Sequence, residues 1–341
     1  MPATRKKKRI EKLKLVLHEA KSMLIVMQDY PDPDAIAAAA ALRELANSLA
    51  SVPCTIACGA AIGRAENLAL AKYLGLNLHH LSDLSLARFD RIAMVDTQPG
   101  TGNNPLPADV VPDIVFDHHP IRRDTRKARF TDVRSRVGAT STILFEYLQT
   151  AEITPDTPLI TALVYAIKTD TQDFGEEATR ADIKAYVTLY PHANIRMLSR
   201  IQDADLPHAY FRALAGALRN AQVFGKGILC NLGDLDNPDM IAEVADLLLR
   251  CEDVFYVLCH GVFENRILLS LRTGDDATNA GAVIRRFVGA HGTGGGHRAM
   301  AGGQIPLHDG TAAERRRLEN HIRKHFLTFL KAERVTPVPL V

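Results

Sequence analysis

The chain contains no tryptophan, and its aromatic content is only 6%. That scarcity argues against an extended platform on which successive nucleic-acid bases stack. It has five cysteines, an odd number, with no close C-x-x-C pair. A disulfide framework and a zinc ribbon are therefore not expected. Cys54 and Cys58 fall on one face of an expected strand and read as small core residues. No uninterrupted apolar run reaches membrane-spanning length. Excess charge of one sign is also missing: 41 basic and 39 acidic residues leave a formal net charge of +2. That balance does not fit a protein that coats long nucleic acid, although it leaves room for a local basic groove. The basic start, Arg5-Lys6-Lys7-Lys8-Arg9, leads into an amphipathic helix rather than a signal peptide's apolar core, so a solvated helix end and a cytoplasmic location are the defaults.

What is present is an ordinary globular composition, 47% hydrophobic and 23% charged, over 341 residues, enough for two domains. Strand, loop and helix alternate in the first part. Met23–Met27, Val52–Ala57, Arg91–Val95 and a run ending at Asp117 read as strands, and an alanine-rich helix occupies Ala35–Ala50. The alternation predicts an α/β fold: a parallel sheet with flanking helices over residues 1–190. Residues 191–219 read as a helical connector. Residues 220–341 read as a smaller α/β domain in which Val254–Cys259 and Arg266–Leu271 form an antiparallel hairpin.

Polar residues collect where the strands end. Ile114-Val115-Phe116 stops abruptly in Asp117-His118-His119, three ionisable groups that are costly to bury and of little use for packing. The other pair, His79-His80, has leucine neighbours and reads as ordinary. Asp32 and Asp34 follow the first strand, Asp96 follows the third, and Asp170 closes a helix. In an open parallel sheet, ligands bind at the carboxyl ends of the strands. Carboxylates concentrated there repel one another unless cations sit between them. Carboxylate with imidazole suits Mn²⁺, Fe²⁺, Co²⁺ or Mg²⁺, and the pattern points to a dinuclear hydrolytic site.

Pro31-Asp32-Pro33-Asp34, Val95-Asp96, Asp117-His118-His119 and Thr169-Asp170-Thr171-x-x-Phe174 resemble, in order and spacing, the four motifs of the DHH phosphoesterase superfamily. Gly294-Gly295-Gly296-His297-x-x-x-Ala301-Gly302-Gly303 resembles the glycine motif of the accompanying DHHA1 domain. The overall size is similar to the oligoribonuclease/PAP-phosphatase (nanoRNase) subgroup. The resemblance implies a site in the interdomain cleft holding two metals, Mn²⁺ with Mg²⁺ as the alternative. Asp96 would bridge them and serve catalysis, with Asp34, His118 and Asp170 completing one shell and Asp32 binding the other metal. His119 would contact the scissile phosphate or protonate the leaving group, and Asp117 would orient an imidazole. A metal-activated water would attack phosphorus.

Arg272 and the Gly294-Gly295-Gly296-His297 segment would by the same resemblance hold the substrate's terminal phosphate. Arg122-Arg123 and Arg285-Arg286 read as solvated surface. The implied activity is hydrolysis of short single-stranded oligonucleotides, of 3′-phosphoadenosine 5′-phosphate, or of both. The alternatives are a cyclic-dinucleotide or linear dinucleotide phosphodiesterase and a degenerate, non-catalytic nucleotide binder. A homodimer is compatible with the family. One position departs from its pattern: Gln28 stands where the first motif usually has a histidine ligand. An amide oxygen is a hard but neutral donor, so the metal bound by Asp32 is expected to be the weaker one.

Overall fold

Met23–Val26 is the strand around which the first half of the chain is built. All four of its residues are buried, Met23 and Ile25 in one core and Leu24 and Val26 in another, which is the period-two alternation of a strand covered on both faces. The computed structural model describes residues 3–175, 178–296 and 298–341. The chain forms two compact units, Met1–Ala204 and Asp205–Val341.

In chain order the first unit runs α1 (Ala3–Leu17), β1 (Met23–Val26), α2 (Pro33–Ala50), β2 (Cys54–Cys58), α3 (Ala65–Tyr73) and β3 (Leu78–His80). It continues with β4 (Arg91–Val95), β5 (Ile114–Asp117), β6 (Phe130–Val133), α4 (Thr140–Thr150), α5 (Thr157–Asp170), α6 (Arg180–Leu189) and α7 (Ile195–Gln202). The six strands form one sheet in the order β3-β2-β1-β4-β5-β6, every pair parallel. The connection order reverses between β1 and β4, so the sheet has a topological switch point between these neighbours.

The helices supply one core, against Met23, Ile25, Ile56, Val95 and Phe116. On the opposite face, Leu24, Val26, Ala57, Met94 and Val115 are covered by Leu81, Leu84, Leu86, Phe89 and Leu106 from loops and short 3₁₀ turns. Among the described residues α-helices therefore flank this sheet on one side only, and the 3₁₀ turns and loops cover the other. The two edge strands, β3 and β6, are additions to the four strands expected from the sequence.

Two of the helices at the site start on an aspartate that caps them. Asp32 caps α2 by accepting from Ala35 N at 2.9 Å, with Pro33 in the first turn. Asp156 caps α5 in the same way, from Leu159 N at 2.9 Å. The basic start of the chain is partly structural. Arg9 donates to Tyr147 Oη and to Thr131 O and pairs with buried Asp132 at 3.1 Å, while Lys6 pairs with Glu146 at 3.3 Å.

The second unit contains α8 (His208–Asn220), β7 (Gln222–Phe224), β8 (Gly227–Asp234), α9 (Met240–Leu248), β9 (Tyr256–Phe263), β10 (Arg266–Thr273), α10 (Ala280–Val288), β11 (Thr293–Gly296), β12 (Met300–Pro306), α11 (Ala312–Leu330) and β13 (Val338–Pro339). Its sheet has the order β11-β12-β10-β9-β8-β7-β13, antiparallel except between β8 and β9. Leu258 joins the core made with α10 and α11. Its neighbours Val257 and Cys259 join the core made with α8 and α9, so helices cover both faces.

Candidate active site

Four connections bring the polar groups to one end of the first sheet. The turn after β1 carries Gln28 and Asp32 and opens α2, whose second residue is Asp34. The end of β4 delivers Asp96, whose φ of 56° turns the chain sharply out of the sheet. Asp117 ends β5, His118 and His119 follow it, and Asp170 is the last residue of α5. Because β1 and β4 are neighbours at the switch point, Asp32, Asp34 and Asp96 reach the same place from different stretches of sequence.

Asp34 is almost fully buried, and its carboxylate accepts from Thr140 N at 2.6 Å and from Ser141 N at 2.8 Å. These are the first amides of α4. The residue at its N-cap, Ala139, has no side chain able to cap it, so Asp34 serves as the cap from across the fold. The Thr140-Ser141 start of that helix is thus already occupied by a carboxylate. Thr140 also donates through Oγ1 to Asp96 Oδ1 at 2.9 Å.

His118 lies between the acids. Its Nε2 is 3.5 Å from Asp96 Oδ1 and 3.3 Å from Asp170 Oδ2, and its Nδ1 faces Val137 O at 3.3 Å. A backbone carbonyl at Nδ1 leaves Nε2 unprotonated as the donor atom for a cation. Asp96, His118 and His119 form one group whose ligand atoms lie within 4.8 Å of one another, and Asp34, His118 and Asp170 form a second. Donors sharing one ion at about 2 Å sit within roughly 4 Å of one another, so each group needs only a small side-chain adjustment to share an ion.

The charges give the same answer. Burial raises Asp96 well above the usual carboxylate range, and the carboxylates of Asp32, Asp34, Asp170 and Asp117 push it further. Burial also raises Asp34; the charge of Asp32 adds to this, while His118 and the Ser141 hydrogen bonds oppose it. Oxygen donors with imidazole, crowded enough to resist ionisation, are the chemistry of a hard divalent-cation site.

Asp117 behaves differently. Burial alone would raise it, but hydrogen bonds from His119 and Gln98 and the charge of His119 hold it below the ordinary range. Its Oδ1 meets His119 Nδ1 at 2.7 Å and accepts from His119 N at 3.2 Å. Its Oδ2 accepts from Gln98 Nε2 at 2.5 Å. Burial lowers the His119 imidazole, yet the hydrogen bond and charge of Asp117, with Asp32 and Asp34, leave it raised. Sequence reasoning passed over Gln98. An amide two residues beyond Asp96 carries no signal of its own, and only the fold shows that it is fully buried against Asp117.

Asp32 stands outside both three-residue groups. Its Oδ2 accepts from Gln28 Nε2 at 3.0 Å, while Gln28 Oε1 accepts from Asn103 Nδ2 at 3.4 Å. The amide at position 28 thus presents N–H rather than a lone pair to the neighbouring carboxylate.

Two of the expected substrate contacts have other partners within the second unit. Arg272 is buried on β10; it donates to Asp246 through Nε and to Ser270 Oγ at 2.8 Å through Nη1. Gly294–Gly296 lies in β11, paired with β12 at the sheet edge. A Cβ at Gly296, whose φ is 151°, would strike Met300 O and Ala301, so the backbone there demands glycine, while one at Gly294 would meet the Ile284 side chain in a tight contact at 3.2 Å. Gly295 faces open space. His297 lies outside the described residues.

Residues 23–167 match the family described as DHH family, N-terminal domain, and residues 224–324 match the DHHA1 domain. The uncharacterized protein MJ1633 of Methanocaldococcus jannaschii is 35% identical over 304 residues, which is 88% of this chain and 62% of that protein. The chain therefore spans less than two thirds of the length of that curated relative. The crystal structure of an exopolyphosphatase-related protein from Bacteroides Fragilis aligns with a TM-score of 0.72 and 17% identity, over 95% of this chain and 98% of that one. At that identity the likeness is one of fold. Both halves of the chain match in the expected order, and it belongs to the DHH/DHHA1 phosphoesterase superfamily.

Proposed function

We propose that the protein is a divalent-cation-dependent phosphoesterase that hydrolyses short oligonucleotides, 3′-phosphoadenosine 5′-phosphate, or both. The observation that carries this reading is the convergence of Asp34, Asp96, His118 and Asp170 around shared donor distances, with His119 beside them. Asp34, Asp96, His118 and Asp170 would hold the ion, Mn²⁺ or Mg²⁺, and Asp96 is the one offered as a bridge. A bound ion supplies Lewis acidity toward a phosphoryl oxygen and lowers the pKa of water. The chain's own contribution is orientation. Asp117 holds the Nδ1 edge of His119, which assigns Nε2 as the atom that delivers a proton to the departing oxygen. The raised pKa of that imidazole suits a proton donor near neutral pH.

For the second unit we propose substrate binding. Gly295 is the open position of its glycine strand, and Arg272 would take up phosphate by exchanging its bond to Asp246. A binder without turnover is the second reading, favoured by the Gln28 amide that donates to Asp32 where a further metal ligand would be expected. Hydrolysis assays with pAp, pApA and c-di-AMP under Mn²⁺ and Mg²⁺ separate the two. Release of mononucleotide or phosphate from pApA or pAp is expected. No turnover of any of the three by a folded, metal-loaded protein sinks the hydrolase reading.

A further inference from the structure

Directly after His119-Pro120 the chain reads Ile121-Arg122-Arg123-Asp124-Thr125-Arg126-Lys127-Ala128-Arg129, five cations against one carboxylate in a protein of net charge +2. All five cationic residues are exposed. Lys127 pairs with Asp124 at 2.7 Å and Arg129 with Asp113 at 3.4 Å. The guanidinium groups of Arg122, Arg123 and Arg126 make no ion pair among the described residues.

A basic run of this kind is ordinarily solvated surface. This one is anchored. The fully buried Gln98 amide donates to Pro120 O at 3.2 Å and accepts from Arg122 N at 2.8 Å and Thr125 Oγ1 at 2.7 Å. The same amide donates to Asp117, whose other oxygen holds His119. One side chain therefore sets the start of the basic segment in register with the imidazole beside the acidic cluster. Three exposed cations outside any ion pair, anchored next to a site for which phosphoester hydrolysis is proposed, match the charge pattern of a substrate with more than one phosphate.

We propose that Arg122, Arg123 and Arg126 form a ledge that binds the non-scissile phosphates of a short single-stranded oligonucleotide. The inference deepens the hydrolase reading and rests on it for the identity of the substrate. It is tested by fluorescence anisotropy with a 5′-fluorescein pentaadenylate carrying phosphorothioate linkages, titrated at several salt concentrations. The wild-type protein is compared with the triple variants Arg122→Gln/Arg123→Gln/Arg126→Gln and Arg122→Lys/Arg123→Lys/Arg126→Lys. Single-strand binding loses about 0.7 in the slope of log K against log salt for each phosphate contact removed. The glutamine variant should therefore bind at least tenfold more weakly at low salt, with a slope shallower by about 2, and lysine should restore most of the slope. Should the triple variant not fold, the three single glutamine variants, each expected to weaken binding two- to threefold, give the same reading.

An unchanged Kd and slope in the glutamine variants would overturn the ledge, as would no binding of the pentanucleotide by the wild type. Binding with the expected slopes but no turnover of pApA, pAp or c-di-AMP would leave the ledge standing and remove the hydrolase reading instead.

Discussion

Gln98→Leu should be one of the most damaging single changes in the first unit that touches no proposed metal ligand. The amide serves four groups: Asp117 Oδ2, Pro120 O, Arg122 N and Thr125 Oγ1. Leucine fills nearly the same volume, so no large cavity opens and the cost is polar. Asp117 Oδ2 and Thr125 Oγ1 belong to buried residues and would lose the Gln98 bond without water to replace it, at about 1–3 kcal/mol each. Pro120 and Arg122 lie at the surface, where water recovers part of the loss. The expected destabilisation is roughly 3–5 kcal/mol.

Gln98→Glu separates the donor from the acceptor. It keeps the oxygen that accepts from Arg122 N and Thr125 Oγ1 but sets a second oxygen against Asp117. A glutamate there has its folded-state pKa raised by a like charge. Its penalty is full above that folded pKa and is relieved as pH falls through it toward the unfolded value. The Glu variant should thus approach the wild type near pH 5 and fall away by pH 8, whereas the Leu variant should keep a constant offset. With no tryptophan in the chain, urea unfolding is followed by far-UV circular dichroism across that pH range. A Leu variant within 1 kcal/mol of the wild type, or a Glu variant without pH dependence, would show that the four bonds do not carry this weight.

Three further outcomes test the site and the fold. Asp96→Ala should abolish hydrolysis and lower metal content, while His119→Ala should cut kcat by about 10²-fold or more with metal retained; equal metal loss in both, measured by elemental analysis, refutes the division of roles. Replacing the Gln28 amide by imidazole in Gln28→His should raise metal stoichiometry, or tighten the weaker ion by roughly tenfold, in calorimetric titration; no change would mean that position 28 does not face the ions. His260 is buried in the second unit with its pKa lowered from 6.5 to about 4, by burial first. The unfolded chain takes up a proton that the folded one refuses, so stability is lost as pH falls from about 6.5 through 4, by roughly 3 kcal/mol. His260→Gln should flatten that part of the stability profile, and an unaltered profile counts against a neutral buried imidazole.

The sequence was most legible where physics is local. The apolar runs that end in Asp or His are strands, and the Asp-Pro-Asp turn opens a helix because Asp32 caps it and Pro33 fits its first turn. Leu78–His80 and Phe130–Val133 went unread because edge strands this short are paired on one side and lack a full apolar pattern. The gathering of Asp34, Asp96, His118 and Asp170 at one rim followed from their positions at strand and helix ends. What Asp34 and Gln98 bond to did not, because those bonds join segments tens of residues apart. The glycine run carries in sequence only its resemblance to a phosphate-holding motif. The strand pairing that requires glycine at Gly296 needs the partner strand to be known.

The Asp34 carboxylate caps α4 and also belongs to the acidic cluster. One consequence concerns how the protein responds to random mutation. Replacing Asp34 removes a cation donor and strands two helix-start amides in the same event, so a screen that scores only activity cannot tell damage to the chemistry from damage to the scaffold. A cap introduced at Ala139, such as Ala139→Ser, would give α4 its own acceptor and make the two roles of position 34 separable by experiment.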